Sequence, residues 1–132
     1  MSQIVEITID LTNPNCKPRI EAFEITKTGE KNIYCKGGPW GNTGRRFYIP
    51  NMNEVKYRKF LKYTYRYQTE ETDYGKIMES RETEDAIKRI MNRLTDDLKC
   101  YQRRLEGHME YCRRNLWCQE AAGVKTDTEE RE

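Results

Sequence analysis

The chain predicts an α+β fold, with an N-terminal antiparallel β-sheet of roughly four to six short strands followed by one long C-terminal amphipathic helix. Three observations lead there. Residues 3–11 alternate apolar and polar, with Val5, Ile7, Ile9 and Leu11 on one side and Glu6, Thr8 and Asp10 on the other. Residues 61–68 alternate again: Leu61, Tyr63, Tyr65 and Tyr67 share one face, and Lys62, Thr64, Arg66 and Gln68 the other. From residue 82 the period changes to that of a helix, with Ile87, Met91, Leu94, Leu98, Tyr101, Leu105, Met109, Cys112 and Leu116 forming one stripe.

Each element follows from local chemistry. Period-2 alternation over 3–11 reads as a half-buried antiparallel strand. "TNPNCKP" is a turn, because Asn and Pro break regular structure. "RIEAFEITK" is a second extended run, "TGEKN" a hairpin-like turn and "IYCK" a third run. A glycine-rich loop, residues 36–46, precedes a short strand in "RRFYIP". Residues 53–69 are ambiguous: the first half suits a helix with Tyr57, Phe60, Leu61 and Thr64 on one face, and the second half suits a Tyr/Thr-rich strand. "EETDYG" reads as a turn and "KIMES" as a short return. Ser80 or Thr83 caps the long helix, and Glu82, Glu84 and Asp85 suit its positive end. Gly107 costs a helix about 1 kcal/mol relative to alanine, so the helix either runs through it or breaks there. The expected organisation is a sheet domain over 1–80, a helical region over 81–121 and a disordered acidic tail over 122–132.

Composition narrows the function classes. The 132 residues are 36% hydrophobic and 35% charged, with a net charge of only +2. That is neither a histone-like polycation nor an acidic mimic of nucleic acid. The charge is uneven, however. Residues 36–68 hold Lys36, Arg45, Arg46, Lys56, Arg58, Lys59, Lys62 and Arg66 against the single acid Glu54. No apolar run is long enough for a membrane span, and the N-terminus lacks the positive n-region of a secretory signal. The five cysteines form no C-x-x-C pair. They read as reduced thiols in a cytoplasmic protein, within the host cell if the protein is viral.

The loop "CKGGPWGNTGRRFYIP" does not fit a phosphate-binding enzyme. A Walker-type loop needs G-x-x-x-x-G-K-[ST], and neither that pattern nor G-x-G-x-x-G is present. Gly38, Pro39, Asn42, Gly44, Arg45, Arg46, Phe47 and Tyr48 resemble the G-P-N-x-G-R-x-F-Y-x-C heart of the GRF-type zinc finger. That family is a small single-stranded-DNA-binding module of nucleases and topoisomerases. The resemblance implies contact with single-stranded DNA. It does not carry the metal: Pro50 stands where the family has a ligand cysteine, the early C-x-C is missing, and no cysteine occurs between 36 and 99. A zinc site needs four ligands. The plainer reading of the loop is a connection between two strands, with glycines supplying turn geometry.

Catalytic material is thin. His108 is the single histidine, and no acidic pair stands in an apolar setting, so an enzyme is not expected. His108 and Cys112 lie one helical turn apart, and two such helices offer a zinc ligand set; packing is the reading taken, with no metal and no cofactor. The basic segment instead interleaves cations with Trp40, Phe47, Tyr48, Tyr57, Phe60, Tyr63, Tyr65 and Tyr67. Cations that track phosphates and rings that stack on bases are what single-stranded nucleic acid requires. The candidate binding residues are therefore Trp40, Arg45, Arg46, Tyr48, Arg58, Lys62, Tyr63, Tyr65 and Arg66. The competing reading of the tyrosines is a core face beneath the helix. The sequence leads to a non-catalytic nucleic-acid binder. The alternatives are a phage or viral accessory protein that inhibits a host protein, and a protein that sequesters a small nucleotide. A helix over 82–118 would span about 55 Å at 1.5 Å per residue, against about 25–30 Å for the strands. That excess predicts a homodimer through the helix.

Overall fold

The computed structural model describes residues 2–15, 17–36 and 44–117. The chain divides into two compact units, Met1–Leu94 and Thr95–Glu132. The first unit holds six antiparallel strands: β1 (Gln3–Asp10), β2 (Arg19–Thr28), β3 (Asn32–Cys35), β4 (Arg45–Tyr48), β5 (Lys56–Lys59) and β6 (Lys62–Thr69). They form one sheet in the order β4-β3-β2-β1-β6-β5, so β4 and β5 are its edges. Two helices follow, α1 (Tyr74–Met78) and α2 (Arg81–Cys112), the latter continuing into a π-helical turn at Arg113–Trp117. The α+β class and the order of sheet before helix are as the sequence predicts.

The alternating segments become the two central strands. β1 pairs with β6 in a register that sets Val5 opposite Tyr67, Ile7 opposite Tyr65 and Ile9 opposite Tyr63. These six side chains form one face, and Ile77 of α1 with Ala86, Ile90 and Leu94 of α2 close over it. Tyr63 and Ile90 are fully buried. Burying a large apolar side chain contributes roughly 1.5–3 kcal/mol each. The tyrosine row is thus core beneath the helix. Tyr67 keeps its polar end satisfied: its hydroxyl meets Thr83 Oγ1 at 2.6 Å, and Thr83 donates in turn to the Ile77 carbonyl at 2.6 Å.

Three expectations need correction. "KIMES" is helical, because Asp73 caps α1 by accepting from the Gly75 amide at 2.9 Å and Ile77 turns inward to the core. The first half of 53–69 holds no helix: Lys56–Lys59 form strand β5, joined to β6 by a tight hairpin at Phe60–Leu61. Leu61 adopts φ 61° there, a left-handed conformation that costs an L-residue roughly 1–2 kcal/mol. Packing against the core and a hydrogen bond from the Leu11 amide to its carbonyl, 3.0 Å, hold it. The buried face of α2 is Thr83, Ala86, Ile90 and Leu94, one residue round from the predicted start at Ile87 and Met91. Ile87 packs at the margin of the core, while Met91 is 46% exposed.

Of the two candidate caps for α2, Ser80 takes the role, accepting from the Thr83 amide at 3.2 Å. The helix passes through Gly107 without a break. A Cβ at Gly107 would meet nothing within 4 Å, so no close packing requires the glycine. In the second unit, none of residues 95–116 is buried; Leu98, Leu105, Met109 and Leu116 are all more than two-fifths exposed. No helix among the described residues is long and apolar enough to cross a membrane.

Candidate functional site

The second face of the sheet reads from sequence as solvated, yet it folds onto itself. Ile4, Glu6 and Thr8 of β1 lie opposite Phe23, Glu21 and Arg19 of β2 on one side. On the other they lie opposite Gln68, Arg66 and Thr64 of β6. β4 is three strands from β1 in the sheet, but Arg45 Nη2 on β4 reaches both Glu6 carboxylate oxygens, at 3.2 and 3.3 Å. The sheet therefore curls, and this face becomes concave. Phe47 of β4, fully buried, packs with Ile4, Ile33 and Cys35 to form a second core cluster inside the curl.

Glu6 is the hub of this interior. It is only 6% exposed. Arg66 Nε donates to its Oε2 at 2.7 Å, and Arg45 donates from the opposite side. The guanidinium of Arg45 lies 4.7 Å from the Phe23 ring centre and 4.8 Å from that of Phe47; Arg66 lies 5.0 Å from Phe47. A buried carboxylate is tolerated only when paired and hydrogen-bonded, and this one has both. Cys35 lies in the same cluster, and burial pushes its thiol up to about 11, with the nearby Arg45 charge acting in the opposite direction. Asp10, at the open end of β1, is held below the usual carboxylate range by its hydrogen bond from the Thr12 hydroxyl.

The residues expected to bind separate into groups. Trp40 lies outside the described residues, as do the rest of 37–43 and the tail from 118. The strands flanking that loop pair antiparallel, with Cys35 opposite Arg45. Gly44 allows their close approach, since a Cβ there would sit 2.9 Å from the Cys35 carbonyl oxygen. Tyr63 and Tyr65 are 0% and 7% exposed, so they offer no ring face to a base; the stacking platform expected of them is corrected to core. Arg45 and Arg66 are engaged by Glu6 and act as structural cations. Arg46 and Tyr48 point the other way along β4 and are exposed. Arg58 and Lys62 lie beside the concave face, lining a cavity with Arg45.

The structure adds two residues that sequence reasoning passed over. Cross-strand register sets Lys27 opposite Tyr34 and Tyr34 opposite Arg46, with Asn32 opposite Tyr48. Lys27 Nζ stands 5.8 Å from the Tyr34 ring centre. Lys27, Tyr34, Arg46 and Tyr48 thus form an exposed basic and aromatic row on the outer surface of the β2–β3–β4 sheet. A β-bulge between Ile25 and Lys27 turns Lys27 outward, and no sequence signal announces it. At the opposite edge, β5 repeats the composition with Lys56, Tyr57, Arg58, Lys59 and then Phe60; Tyr57 and Phe60 are about half exposed.

No group of three or more His, Cys, Asp or Glu side chains among the described residues is arranged to hold a metal ion. Cys35, Cys100 and Cys112 are free thiols. Comparison with protein-family models, with curated proteins and with solved structures finds no match for this chain.

Proposed function

We propose that the protein is a non-catalytic binder of single-stranded nucleic acid. The observation that carries this reading is the outer row of Lys27, Tyr34, Arg46 and Tyr48. Lys27, Tyr34 and Arg46 set a cation, a ring and a cation side by side across β2, β3 and β4, with Tyr48 two residues beyond Arg46 on the same exposed face of β4, and a phosphate–base chain offers matching charges and rings. Neither cation of the row has an ion pair among the described residues, so both are available to phosphates. Charged residues on edge strands also serve to block sheet-to-sheet aggregation. The two roles separate in a binding assay. A labelled single-stranded oligonucleotide should bind the wild type, with affinity falling as salt rises. Tyr34→Ala and Tyr48→Ala should each weaken binding by roughly 1–3 kcal/mol, as lost base stacking does. Edge protection alone would leave binding absent or unchanged by these substitutions, and salt-insensitive capture of a host protein would favour the inhibitor reading.

The active species in this proposal is a homodimer through α2. The exposed stripe of Leu98, Leu105, Met109 and Leu116 supports it, because large apolar side chains at helical spacing suit a second helix.

A further inference from the structure

The concave face carries an open cavity of about 200 Å³, whose lining includes Glu6, Glu21, Arg45, Arg58, Lys62 and Thr64. Its walls come from both edges of the sheet, since Arg45 is on β4 and Arg58 on β5. Charge within it is unbalanced. Glu6 is shared by Arg45 and Arg66, and Glu21 pairs with Arg19 at 2.9 Å. Arg58 and Lys62 have no carboxylate within salt-bridge distance among the described residues, although Asp10 stands opposite Lys62 in the β1–β6 register.

A second, independent feature lies on the same wall. Thr64 is 3% exposed, and its hydroxyl has no hydrogen-bond partner among the described residues. A buried hydroxyl without a partner is costly, and native proteins rarely retain one unless a ligand or water completes it. The strand neighbours of Thr64 account for its backbone only. Its hydroxyl can donate to one more oxygen.

We propose that this cavity is a binding site for a phosphate group, with Arg58 and Lys62 supplying charge and Thr64 Oγ1 a hydrogen bond. The site is distinct from the outer row and does not depend on it. The volume suits a phosphate with a few waters. It falls below the roughly 300–1,000 Å³ of pockets that enclose drug-sized ligands, so any nucleoside attached to the phosphate would lie at the mouth. Glu6 does not repel the ligand as a free carboxylate would, because two guanidinium groups already neutralise it.

The test is calorimetric titration of the full chain with inorganic phosphate, against chloride at matched ionic strength. Parallel arms use a 5′-mononucleotide and the same nucleoside without phosphate. The wild type should bind phosphate and the mononucleotide but not the bare nucleoside. A mononucleotide that binds more tightly than phosphate identifies a nucleotide as the source, and equal affinities identify the free ion. Thr64→Val keeps the shape of the side chain and removes the orphan hydroxyl. It should weaken phosphate binding about tenfold, the loss expected for one hydrogen bond to a charged group, while leaving the Tm in phosphate-free buffer unchanged or higher. Lys62→Gln, at a partly exposed position, should also weaken binding without unfolding the protein. Absence of phosphate-specific heat in the wild type overturns the proposal. So does undiminished affinity in both variants, or a lowered Tm in Thr64→Val with phosphate affinity retained.

Discussion

Replacing Glu6 tests the curl of the sheet directly. Glu6 is 6% exposed, and the Arg66 side chain that donates to it at 2.7 Å is 11% exposed. Glu6→Gln keeps the volume and one carbonyl acceptor but removes the charge, leaving the Arg66 guanidinium buried without a counter-ion. Removing one partner of a buried pair costs about 3–5 kcal/mol. Two features reduce that here. Arg66 retains its contact with the Phe47 ring, and the glutamine oxygen still accepts a hydrogen bond. A loss of about 2–3 kcal/mol is therefore expected, at the level of a charge-assisted hydrogen bond. Arg45 is 38% exposed on its side chain, so its share of the pairing is screened, and Arg45→Gln should cost about 1 kcal/mol or less. Urea unfolding followed by circular dichroism measures both. With a urea slope of about 1–3 kcal/mol per molar, Glu6→Gln should lower the midpoint by roughly 1–2 M. The double variant Glu6→Leu with Arg66→Met should recover much of the loss, because an apolar pair of similar volume often matches a buried ion pair. If Glu6→Gln leaves the midpoint where it is, the carboxylate is solvated and the sheet is flat, and the account of the concave face fails.

Tyr65→Leu should cost about 1–3 kcal/mol of stability through lost core packing, with oligonucleotide affinity unchanged; a loss of affinity at constant stability would return Tyr65 to the binding surface. Leu98→Asp should convert a dimer to a monomer in sedimentation at micromolar concentration, and a wild type already monomeric there removes the dimer from the proposal. Cys35 gives a pH dependence. The unfolded thiol ionises near 9.0 while the folded one holds its proton to about 11. Between those values the unfolded state binds fewer protons, so stability falls as pH rises, by up to about 1.4 kcal/mol per pH unit. The stability advantage of the wild type over Cys35→Val should narrow across that window, and an advantage constant from pH 8 to pH 11 would contradict the burial of the thiol.

What was legible in the sequence is what depends on near neighbours. Strand β1 and strand β6 show themselves by alternation, and α2 by its stripe and its Ser80 cap. The tyrosines of β6 sort to one face by the same period. Their use was not legible, since a ring row serves a core and a binding surface equally well until the helix above it is placed. The apolar stripe points one residue away from the buried face of α2 because Ile87–Met91 and Ala86–Ile90 are both apolar pairs at a four-residue step, and one residue turns the helix by about 100°. The hairpin at Phe60–Leu61 gave no sign, as its left-handed position holds a leucine where turn chemistry leads one to expect glycine or asparagine. Alternation places Glu6 correctly on the polar side of β1 but carries no sign that this side is covered as well. Its burial depends on β4 folding across from three strands away, a contact 39 residues distant along the chain.

That curl changes how the basic segment can act. Counted along the sequence, residues 36–68 offer eight cations to a nucleic acid. In the fold, Arg45 and Arg66 are bound to Glu6, Lys36 pairs with Glu24 at 3.6 Å, and Arg58 and Lys62 line the concave cavity. The outer row keeps Arg46 and gains Lys27 from β2. Each phosphate neutralised on a single strand contributes a slope of about −0.7 to the logarithm of affinity against the logarithm of salt. A row with two cations should therefore give a slope near −1.4 for each protomer engaged, whereas a segment acting with all eight would give about −5.6. Arg46→Ala should then take away about half of the observed slope, and Arg45→Ala none of it. A steep slope that survives Arg46→Ala would move the nucleic acid to the β5 edge, where Lys56, Arg58 and Lys59 stand together, and phosphate would then compete with the oligonucleotide through Arg58.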